Sequence, residues 1–502
     1  MSEEVRRASK RVLGFSALAA FLVLSVSAGA ATPGELDASF GSGGKVTTLI
    51  GSDESDARAV VVQPDGKIVV GGWAGSATLA LARFKPNGAL DPTFGSGGKA
   101  TTSLAGSFDA AVYALALQAD GKIVAAGIAF LTQYESDFVV ARYNANGSLD
   151  KTFGGSGFVT TDFDRLDAAH AVAIQPDRTI VVAGGSIGPG GPAVVLARYR
   201  PNGSLDPSFG SGGEVRGPTG TAAGNGLVRQ PDGKLVVAGT VAGSLGPEFA
   251  LVRFTADGSL DTAFGSQGVT TAPVGSYGTP YGLALQADGK LVAAGNASDS
   301  GGKSGWGVAR WNPDGILDSA FGQGGVVVTE TGAYDGLARA VAVQRNGKIV
   351  TAGDSRRAPP DDSEVTVVRY RPNGNLDGRF GRNGIVTTRY GNVQYSYGEG
   401  LALQRDGKIL VAGGGMDAGS PEVDGVVRLL GDTCVVPNVQ RKPLAAARGA
   451  IGKAGCSAGN VTKAFSTKIA KGRVVSQKPK AGARVAAATK VSLLVSKGTR
   501  RR

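Results

Sequence analysis

The chain has 502 residues, too many for one ordinary hydrophobic core, and its mean hydropathy is near zero, which argues against disorder. Glycine is abundant, at 80 residues, but follows no Gly-X-Y period, so a collagen-like fibre is excluded. Residues 433–502 hold sixteen Lys and Arg and no acid, and residues 1–30 have a net charge of +2. Since the net charge of the whole chain is +12, residues 31–432 have a net charge of −6. The sequence therefore predicts a mildly acidic body with a strongly basic C-terminal end.

Residues 1–30 have the pattern of a secretory signal peptide. Four cations within residues 6–11 precede an apolar run over 12–26, and Ala28-Gly29-Ala30 forms a small-x-small cleavage pattern. The alternative is an uncleaved membrane anchor, the one case in which a membrane would be a partner. Either interpretation predicts that the body lies outside the cytoplasm, secreted or associated with the cell envelope.

Three motifs recur seven times in phase, with steps of 54 to 59 residues in the first of them. The first reads Leu-Asp, two variable residues and Phe-Gly, and its Asp stands at Asp37, Asp91, Asp150, Asp206, Asp261, Asp318 and Asp377. The second reads Gln-Pro-Asp-Gly-Lys in its first copy, and its Gln stands at Gln63, Gln118, Gln175, Gln230, Gln286, Gln344 and Gln404. The third reads Ala-Arg-Phe-Lys-Pro-Asn-Gly in its first copy, and its Arg stands at Arg83, Arg142, Arg198, Arg253, Arg310, Arg369 and Arg428. A period in the fifties is typical of a solenoid, a propeller or an array.

Each unit has the pattern of four antiparallel strands. In the first full unit, apolar runs over 57–63, 67–71 and 78–84 are separated by turn signals such as Asp65-Gly66, and a fourth strand begins at Lys99. We therefore predict a mainly β fold, a seven-bladed β-propeller of four-stranded blades over residues 34–432. The lone strand at 45–49 has no hairpin before it, and the last unit lacks a fourth strand. We expect the first strand to complete the seventh blade, which would remove the open sheet edges.

The three motifs over residues 34–432 resemble the delta-60 repeat family of predicted bacterial β-propellers. The resemblance implies the architecture and little about activity. We interpret the repeated residues as structural: the Asp caps the following turn, the Phe packs between blades, and the Arg pairs with an Asp of a neighbouring repeat.

Candidate binding residues lie where the repeats differ. Five residues before each repeated Gln, the chain carries a polar side chain that differs in kind from copy to copy. These ring residues are Arg58, Tyr113, His170, Asn225, Tyr281, Arg339 and Glu399. If the Gln strand is the innermost one, they surround one mouth of the central channel and form a candidate ligand site. The alternative is that the position merely faces water at the start of the strand.

The sequence favours a protein that is not an enzyme. His170 is the single histidine, which excludes multi-His metal sites and leaves little room for a Ser/His/Asp triad, and no Gly-x-Ser-x-Gly elbow lies between a strand and a helix. A pair of carboxylates that cleaves glycosides remains an open alternative, because such residues are close in space and need not be close in sequence. Residues 51–56 form an acidic loop without the EF-hand ligand order, so we interpret it as solvated. No catalytic residue, metal site or cofactor is predicted.

Residues 433–498 form a separate small α+β domain, and residues 499–502 form a basic tail. An Ala-rich helix is predicted over 444–454, with Pro443 at its start and Gly455 at its end, and strands are predicted near 460–466, 473–477 and 491–496. Cys434 and Cys456 are the two cysteines of the chain, and in a secreted protein such a pair predicts a disulfide.

The order of elements in this domain resembles a PASTA domain. The matching residues include Val436-Pro437-Asn438-Val439, Gly472-Arg473-Val474, Ala481-Gly482 and Val491-Ser492-Leu493. PASTA domains occur in extracytoplasmic parts of bacterial kinases and penicillin-binding proteins, so the resemblance implies recognition of cell wall or muropeptide. The sixteen cations would separately favour anionic wall polymers. They could also suggest nucleic acid, but no nucleic-acid motif accompanies them.

We therefore predict a monomeric, secreted or surface-retained binding protein of the bacterial cell envelope. The PASTA-like domain would dock to the cell wall or to muropeptide, another envelope protein being a possible partner, and the propeller would present a binding face. One alternative is an extracellular enzyme acting on carbohydrate or wall material at the channel mouth, where Glu399 would matter. Another is a structural spacer without a specific ligand.

Overall fold

The computed structural model describes residues 32–500, apart from 52–53, 76, 105, 299–303, 333–334, 359–361, 392, 418–419 and 488. The predicted signal segment and the end of the basic tail lie outside the described residues. Within them, 28 strands form seven blades of four antiparallel strands each, which confirms the predicted fold class. One parallel pairing, of Leu166 with Ser136, joins the second and third blades into an eight-stranded sheet.

The first strand of each blade lines the axis, and the second pairs with it. The innermost strands are β2 (Asp56–Val62), β6 (Asp109–Leu117), β10 (Leu166–Ile174), β14 (Thr221–Arg229), β18 (Tyr277–Leu285), β22 (Gly336–Val343) and β26 (Tyr395–Leu403). The second strands are β3 (Ile68–Trp73), β7 (Ile123–Thr132), β11 (Ile180–Gly188), β15 (Leu235–Ala242), β19 (Leu291–Ser298), β23 (Ile349–Ala358) and β27 (Ile409–Met416).

The third strands are fully paired, and short outer strands complete the blades. The third strands are β4 (Thr78–Phe84), β8 (Glu135–Tyr143), β12 (Gly191–Tyr199), β16 (Pro247–Phe254), β20 (Ser304–Trp311), β24 (Asp362–Tyr370) and β28 (Val423–Leu429). The outer strands are β5 (Lys99–Ser103), β9 (Phe158–Thr161), β13 (Glu214–Arg216), β17 (Val269–Ala272), β21 (Val326–Thr329), β25 (Ile385–Thr388) and β1 (Lys45–Thr48).

The ring closes as the repeat count predicts. β1 is the outer strand of the seventh blade and pairs antiparallel with β28, with Lys45 opposite Val427 and Thr48 opposite Asp424. The N-terminal segment thereby supplies the strand that the last repeat lacks. No blade is left with three strands.

The hydrophobic core lies between neighbouring blades. One cluster joins Leu79 and Leu81 of the first blade to Ile123 and Val139 of the second, and Phe94 is fully buried within it. The other repeats form equivalent clusters, because the middle strands are apolar on both faces, as strands covered on both sides are. The repeated Phe therefore packs between blades, as predicted.

A buried ion pair recurs at the rim of every blade. In the second blade, Asp150 accepts hydrogen bonds from the backbone N–H and hydroxyl of Thr152 through Oδ1, which is the predicted turn cap. Its Oδ2 lies 2.7 Å from both Arg142 Nε and Lys122 Nζ. The Arg142 guanidinium lies over the Phe153 ring, 4.7 Å from its centroid.

The prediction that the Arg pairs with an Asp of a neighbouring repeat is wrong for six of the seven pairs. Arg and Asp flank one chain reversal, and the backbone N–H of Asp150 donates to the carbonyl of Arg142, which places the two side chains together. The seventh pair, Arg428 with Asp37 at 2.8 Å, joins the two ends of the ring. Contact with the next repeat is made through a backbone carbonyl instead, as where Arg198 Nη1 donates to Ala256 at 2.7 Å.

The C-terminal domain packs one helix against short strands. The helix α1 spans Leu444–Lys453, and the strands are β29 (Thr433–Val435), β30 (Ser457–Ala464), β31 (Val474–Lys478), β32 (Arg484–Ala486) and β33 (Lys490–Ser496). The sheet β30-β33-β31 matches the three predicted strands, whereas the short pair β29 and β32 was not predicted. The predicted disulfide between Cys434 and Cys456 is confirmed, with a Cα–Cα distance of 5.5 Å.

Candidate functional site

The seven ring residues lie on the innermost strands, each where the pairing with the second strand is interrupted. In the first blade Ala57 pairs with Gly72 and Ala59 with Gly71, so Arg58 is an extra residue. Six blades have one such extra residue, and in the fourth the interruption is wider, from Ala222 to Gly226. A β-bulge redirects a side chain out of the regular alternation, and here the redirected side chains point into the channel.

A glycine in the second strand makes room for each bulge. It stands nine residues after the repeated Gln, at Gly72, Gly127, Gly184, Gly239, Gly295, Gly353 and Gly413. A Cβ on Gly72 would lie 1.8 Å from the carbonyl oxygen of Asp56, and five others would meet the equivalent carbonyl at 1.7 to 1.9 Å. In the fourth blade, where the interruption is wider, a Cβ on Gly239 would lie 2.4 Å from the carbonyl oxygen of Ala222. Any side chain would therefore push the bulge open, so these glycines are the local cause of the ring geometry.

The ring residues line a single cavity of about 520 Å³ at the propeller axis. Two further side chains, Asp56 and Tyr397, line it as well. Each stands two residues before a ring residue on the same strand, where five of the seven copies carry Ala, Thr or Leu. The sequence reasoning missed these two residues, although their departure from the small residues at that position was a usable signal.

Neighbouring ring side chains contact one another around the first half of the cavity. The Arg58 guanidinium lies 4.9 Å from the centroid of Tyr113, and Tyr113 stacks on His170 with centroids 5.0 Å apart. Both oxygens of Asp56 lie 3.0 Å from Arg58 Nε, which fixes the guanidinium. Asn225 donates from Nδ2 to the carbonyl of Pro280 at 2.9 Å.

The second half of the cavity carries a charge cluster. Arg339 Nε lies 3.1 Å from Glu399 Oε1 and 3.5 Å from Asp354 Oδ1, and its guanidinium lies 5.9 Å from the Tyr281 centroid. The cavity therefore presents guanidinium donors, carboxylate and amide acceptors, and aromatic faces. Such a lining suits a polar ligand with several hydroxyl or amide groups.

Burial shifts the pKa of two ring residues. Burial raises the pKa of Glu399 to about 7 against the attraction of Arg339, and Asp56 adds to the rise. Burial and the charge of Arg58 lower the pKa of His170 to about 4, so its imidazole is neutral at pH 7. Hence the cavity holds a carboxyl that is partly protonated near neutral pH and a histidine that is not.

The shifted carboxyls of the cavity and of the rim predict that stability is greatest near pH 4 to 5. Hydrogen bonds to the Leu-Asp carboxylates and the nearby Arg charges outweigh burial and lower the pKa of all seven, that of Asp37 to about 2. Their contribution is complete above the unfolded pKa of about 4 and is lost as pH falls through the folded values. Burial raises the pKa of Glu399, Glu422 and Asp424 to about 7, so their contribution is complete below the unfolded pKa of about 4 and is lost as the pH rises from there to about 7.

The measurement is the midpoint of thermal unfolding against pH, followed by tryptophan fluorescence. All three tryptophans lie in the propeller, so the signal reports on that domain. A midpoint that rises steadily from pH 4 to 8 would contradict the raised carboxyl pKa values.

The C-terminal domain presents a uniformly cationic surface. All fourteen Lys and Arg side chains that the structure describes between residues 433 and 500 are exposed. The domain contains no Asp or Glu to neutralise them. The predicted acidic loop at 51–56 lies partly outside the described residues, and Asp56, which we placed in it, is instead buried at the start of β2 beside Arg58.

Comparison with known families identifies both parts of the chain. The model described as "Domain of unknown function (DUF5122) beta-propeller" matches seven segments, 63–94, 118–153, 175–209, 230–264, 286–321, 344–380 and 404–432. The PASTA domain model matches residues 435–497. A PASTA domain and a disulfide are features of extracellular or envelope proteins.

Solved structures that resemble this chain are distant. The polysaccharide lyase Uly1 has a TM-score of 0.42 and 11% identity, over 75% of this chain and 90% of that one. A PL25 ulvan lyase bound to a saccharide has a TM-score of 0.41 and 11% sequence identity, over 77% of this chain and 96% of that one. The PQQ-bound aldose sugar dehydrogenase from Streptomyces coelicolor has a TM-score of 0.37 and 14% sequence identity, over 65% of this chain and 98% of that one. No curated protein matches the sequence, and no helix among the described residues is long and apolar enough to cross a membrane.

Proposed function

Because this chain is a DUF5122 β-propeller with a C-terminal PASTA domain, we propose that it is a non-catalytic binding protein of the bacterial cell envelope. The PASTA domain docks to peptidoglycan or muropeptide, and the propeller binds a polar ligand in its axial cavity. The localisation is outside the cytoplasm, following cleavage of the signal segment.

The observation that carries the proposal is that the side chains that differ between repeats converge on one cavity. The Leu-Asp, Gln and Arg motifs serve the fold and are almost identical in every blade. The ring residues are of five different types in the seven blades, and they meet at the axis with Asp56 and Tyr397. A rigid scaffold with variation concentrated at one concave site is typical of a binding protein.

The charge of the C-terminal domain supports docking to the wall. Fourteen exposed cations without a local acid produce a long-range attraction to anionic polymers, which raises the rate of encounter. Attraction of this kind is screened over about 10 Å at 0.1 M salt. Binding that depends on shape and hydrogen bonds in the PASTA domain would persist when the salt is raised.

The test is retention of the protein on purified bacterial sacculi at about 50 and about 200 mM salt. We expect the full chain to be retained at both concentrations, and a version ending at Asp432 to be retained at least about tenfold less, since it lacks the docking domain. The truncated version keeps Asp432, which contacts Arg369 at 3.0 Å, and its tryptophan fluorescence reports whether the propeller is intact.

A control variant with an altered ring makes the result decisive. A full chain with the ring substitutions Arg58→Ala and Tyr113→Ala should be retained like the unaltered protein, because the ring lies in the other domain. Equal retention of the full and truncated chains, or loss of all retention at the higher salt, would contradict specific docking by the PASTA domain.

A second candidate function is an extracellular enzyme that acts on carbohydrate or wall material at the same cavity. Its support is the pKa of Glu399, about 7, which suits a general acid or base at neutral pH. The substitution Glu399→Gln separates the two functions. Lost turnover of wall fragments with binding retained would favour the enzyme, whereas binding without turnover in the unaltered protein favours the binding function.

A further inference from the structure

Three aspartates from three different segments of the chain meet at the junction of the second and third blades. Asp137 lies on β8, Asp162 follows β9, and Asp167 lies on β10. One carboxylate oxygen from each lies within 4.8 Å of the others. The three residues were not singled out from the sequence, because Asp137 meets Asp162 through the pairing of β8 with β9, and Asp167 joins them from the neighbouring blade.

One of the three carboxylates is buried and incompletely paired. Asp167 is fully buried, and its Oδ2 accepts the backbone N–H groups of Phe163 at 2.6 Å and Asp164 at 3.0 Å. Its Oδ1 is buried without a hydrogen-bond partner. An anionic oxygen in that position is destabilising unless a cation or donor approaches it.

The backbone around the cluster is firmly held. The N–H of Asp167 donates to Ser136 Oγ at 3.1 Å, and Ser136 Oγ donates to the carbonyl of Asp167 at 3.1 Å. The N–H of Ser136 donates to the carbonyl of Arg165 at 3.0 Å. Asp137 follows Ser136 directly, so the two blades carry their carboxylates into the cluster on fixed backbone.

The corresponding junction of the sixth and seventh blades contains its own cation. There Glu364 occupies the position that corresponds to Asp137, and Arg389 occupies the position that corresponds to Asp162. Arg389 Nε lies 3.5 Å from Glu364 Oε1. At the position where that junction has the cation of Arg389, the junction of the second and third blades has the carboxylate of Asp162. Among the described residues, none of the three aspartates forms an ion pair with Lys or Arg.

Among the described residues, no other junction brings three carboxylates together in this way. The position of Asp167, eight residues before the repeated Gln, is otherwise occupied by Ser55, Ala110, Ala222, Gly278, Gly336 and Ser396. The fold therefore does not require an acid at this position. The cluster is a feature of one junction, added to the common scaffold.

We propose that Asp137, Asp162 and Asp167 bind a Ca²⁺ ion that links the second and third blades. Oxygen ligands alone favour a hard divalent cation. Ca²⁺ takes oxygen ligands at about 2.3 to 2.6 Å in a flexible geometry, so carboxylate oxygens within 4.8 Å of one another can share one ion, whereas Mg²⁺ demands near-ideal octahedral geometry. Asp162 is exposed, so the ion has a path from solvent.

The test is calorimetric titration of the chelator-treated full protein with CaCl₂, and separately with MgCl₂. We expect one Ca²⁺ site with a Kd of about 10⁻⁴ to 10⁻³ M, the range of extracellular modules, and weaker binding of Mg²⁺. Calcium at about 10 mM should raise the midpoint of thermal unfolding by roughly 2–4 °C, because the ion binds only the folded protein.

Three variants make the test specific. Asp162→Asn alters an exposed residue, so the protein should fold, and it should weaken Ca²⁺ binding at least about tenfold. Asp162→Arg recreates the pair of Glu364 with Arg389, and its unfolding midpoint should no longer respond to Ca²⁺. Glu248→Gln is the matched control, since Glu248 stands at the position of Asp137 in the fourth blade, where Pro273 and Gly278 replace the other two acids.

The control variant should bind Ca²⁺ like the unaltered protein. Absence of saturable binding below about 10 mM Ca²⁺ would overturn the proposal, as would equal weakening in Glu248→Gln, which would indicate non-specific charge effects. Mg²⁺ binding as tight as Ca²⁺ binding would overturn the assignment of the ion.

Discussion

Deletion of residues 36–49 should abolish the cooperative unfolding of the propeller. The deletion removes β1, the outer strand of the seventh blade, together with Asp37 and the fully buried Phe40. Asp37 lies 2.8 Å from Arg428 and 3.0 Å from Lys408, so both cations would lose their counter-charge. Each blade shares a hydrophobic cluster with each of its two neighbours. Disruption of the seventh blade would therefore expose the clusters on both sides of it to water.

The measurement is tryptophan fluorescence during heating or urea denaturation. We expect no sigmoidal transition from the shortened chain, whereas removal of residues 433–502, a longer segment, should leave the transition within a few degrees of its position. A cooperative transition in the chain that lacks 36–49 would contradict the role assigned to β1.

A rearranged chain tests the geometry directly. The third strand and the Leu-Asp motif are separated by the same short turn in every internal repeat, with Asp eight residues after Arg. Residues 36–49 placed after Arg428 with this spacing should restore cooperative unfolding, because the strand then reaches the same edge of β28 from the other end of the chain.

Replacement of Asp150 by Asn should destabilise the propeller by about 3–5 kcal/mol. Asp150 and Arg142 are each only 5% exposed in their side chains, and Lys122 shares the same carboxylate oxygen. Loss of the anion leaves two neighbouring cations, one of them buried, without a counter-charge, which is far more damaging than loss of an exposed pair. The free energy of unfolding would be measured by urea titration with tryptophan fluorescence.

The neighbouring residue provides the control for this substitution. Lys151 is exposed and adjacent in sequence, so Lys151→Gln should change the free energy of unfolding by no more than about 0.5 kcal/mol. A loss below about 1 kcal/mol in Asp150→Asn would indicate that water screens the rim network despite its burial.

Much of the fold could be predicted because the repeat amplifies weak signals. A single Leu-Asp-x-x-Phe-Gly segment predicts only a turn, but seven in-phase copies predict seven blades. The lone strand before the first hairpin then predicts the closure through β1. The ring residues could be found because polar side chains of different kinds stand at one position of an otherwise apolar strand.

The remaining features depend on three-dimensional neighbours. The pairing of Arg142 with Asp150 depends on the exact path of a chain reversal, and the interruption at Arg58 depends on the space beside Gly72. The convergence of Asp137, Asp162 and Asp167 depends on how adjacent blades abut. The sequence carried one unused signal for the bulges, the glycine nine residues after each repeated Gln.

The bulges place the ring residues outside the backbone hydrogen bonding that holds each blade together. An inserted residue such as His170 lies outside the hydrogen-bond ladder that holds β10 to β11, so its identity is not constrained by the ladder. Under the proposed binding function, each blade would contribute one exchangeable side chain to the ligand site, here Arg, Tyr, His, Asn, Tyr, Arg and Glu. Chains with the same three motifs and different side chains at these seven positions should bind different ligands, and specificity should be transferred by exchanging the seven side chains together with Asp56 and Tyr397.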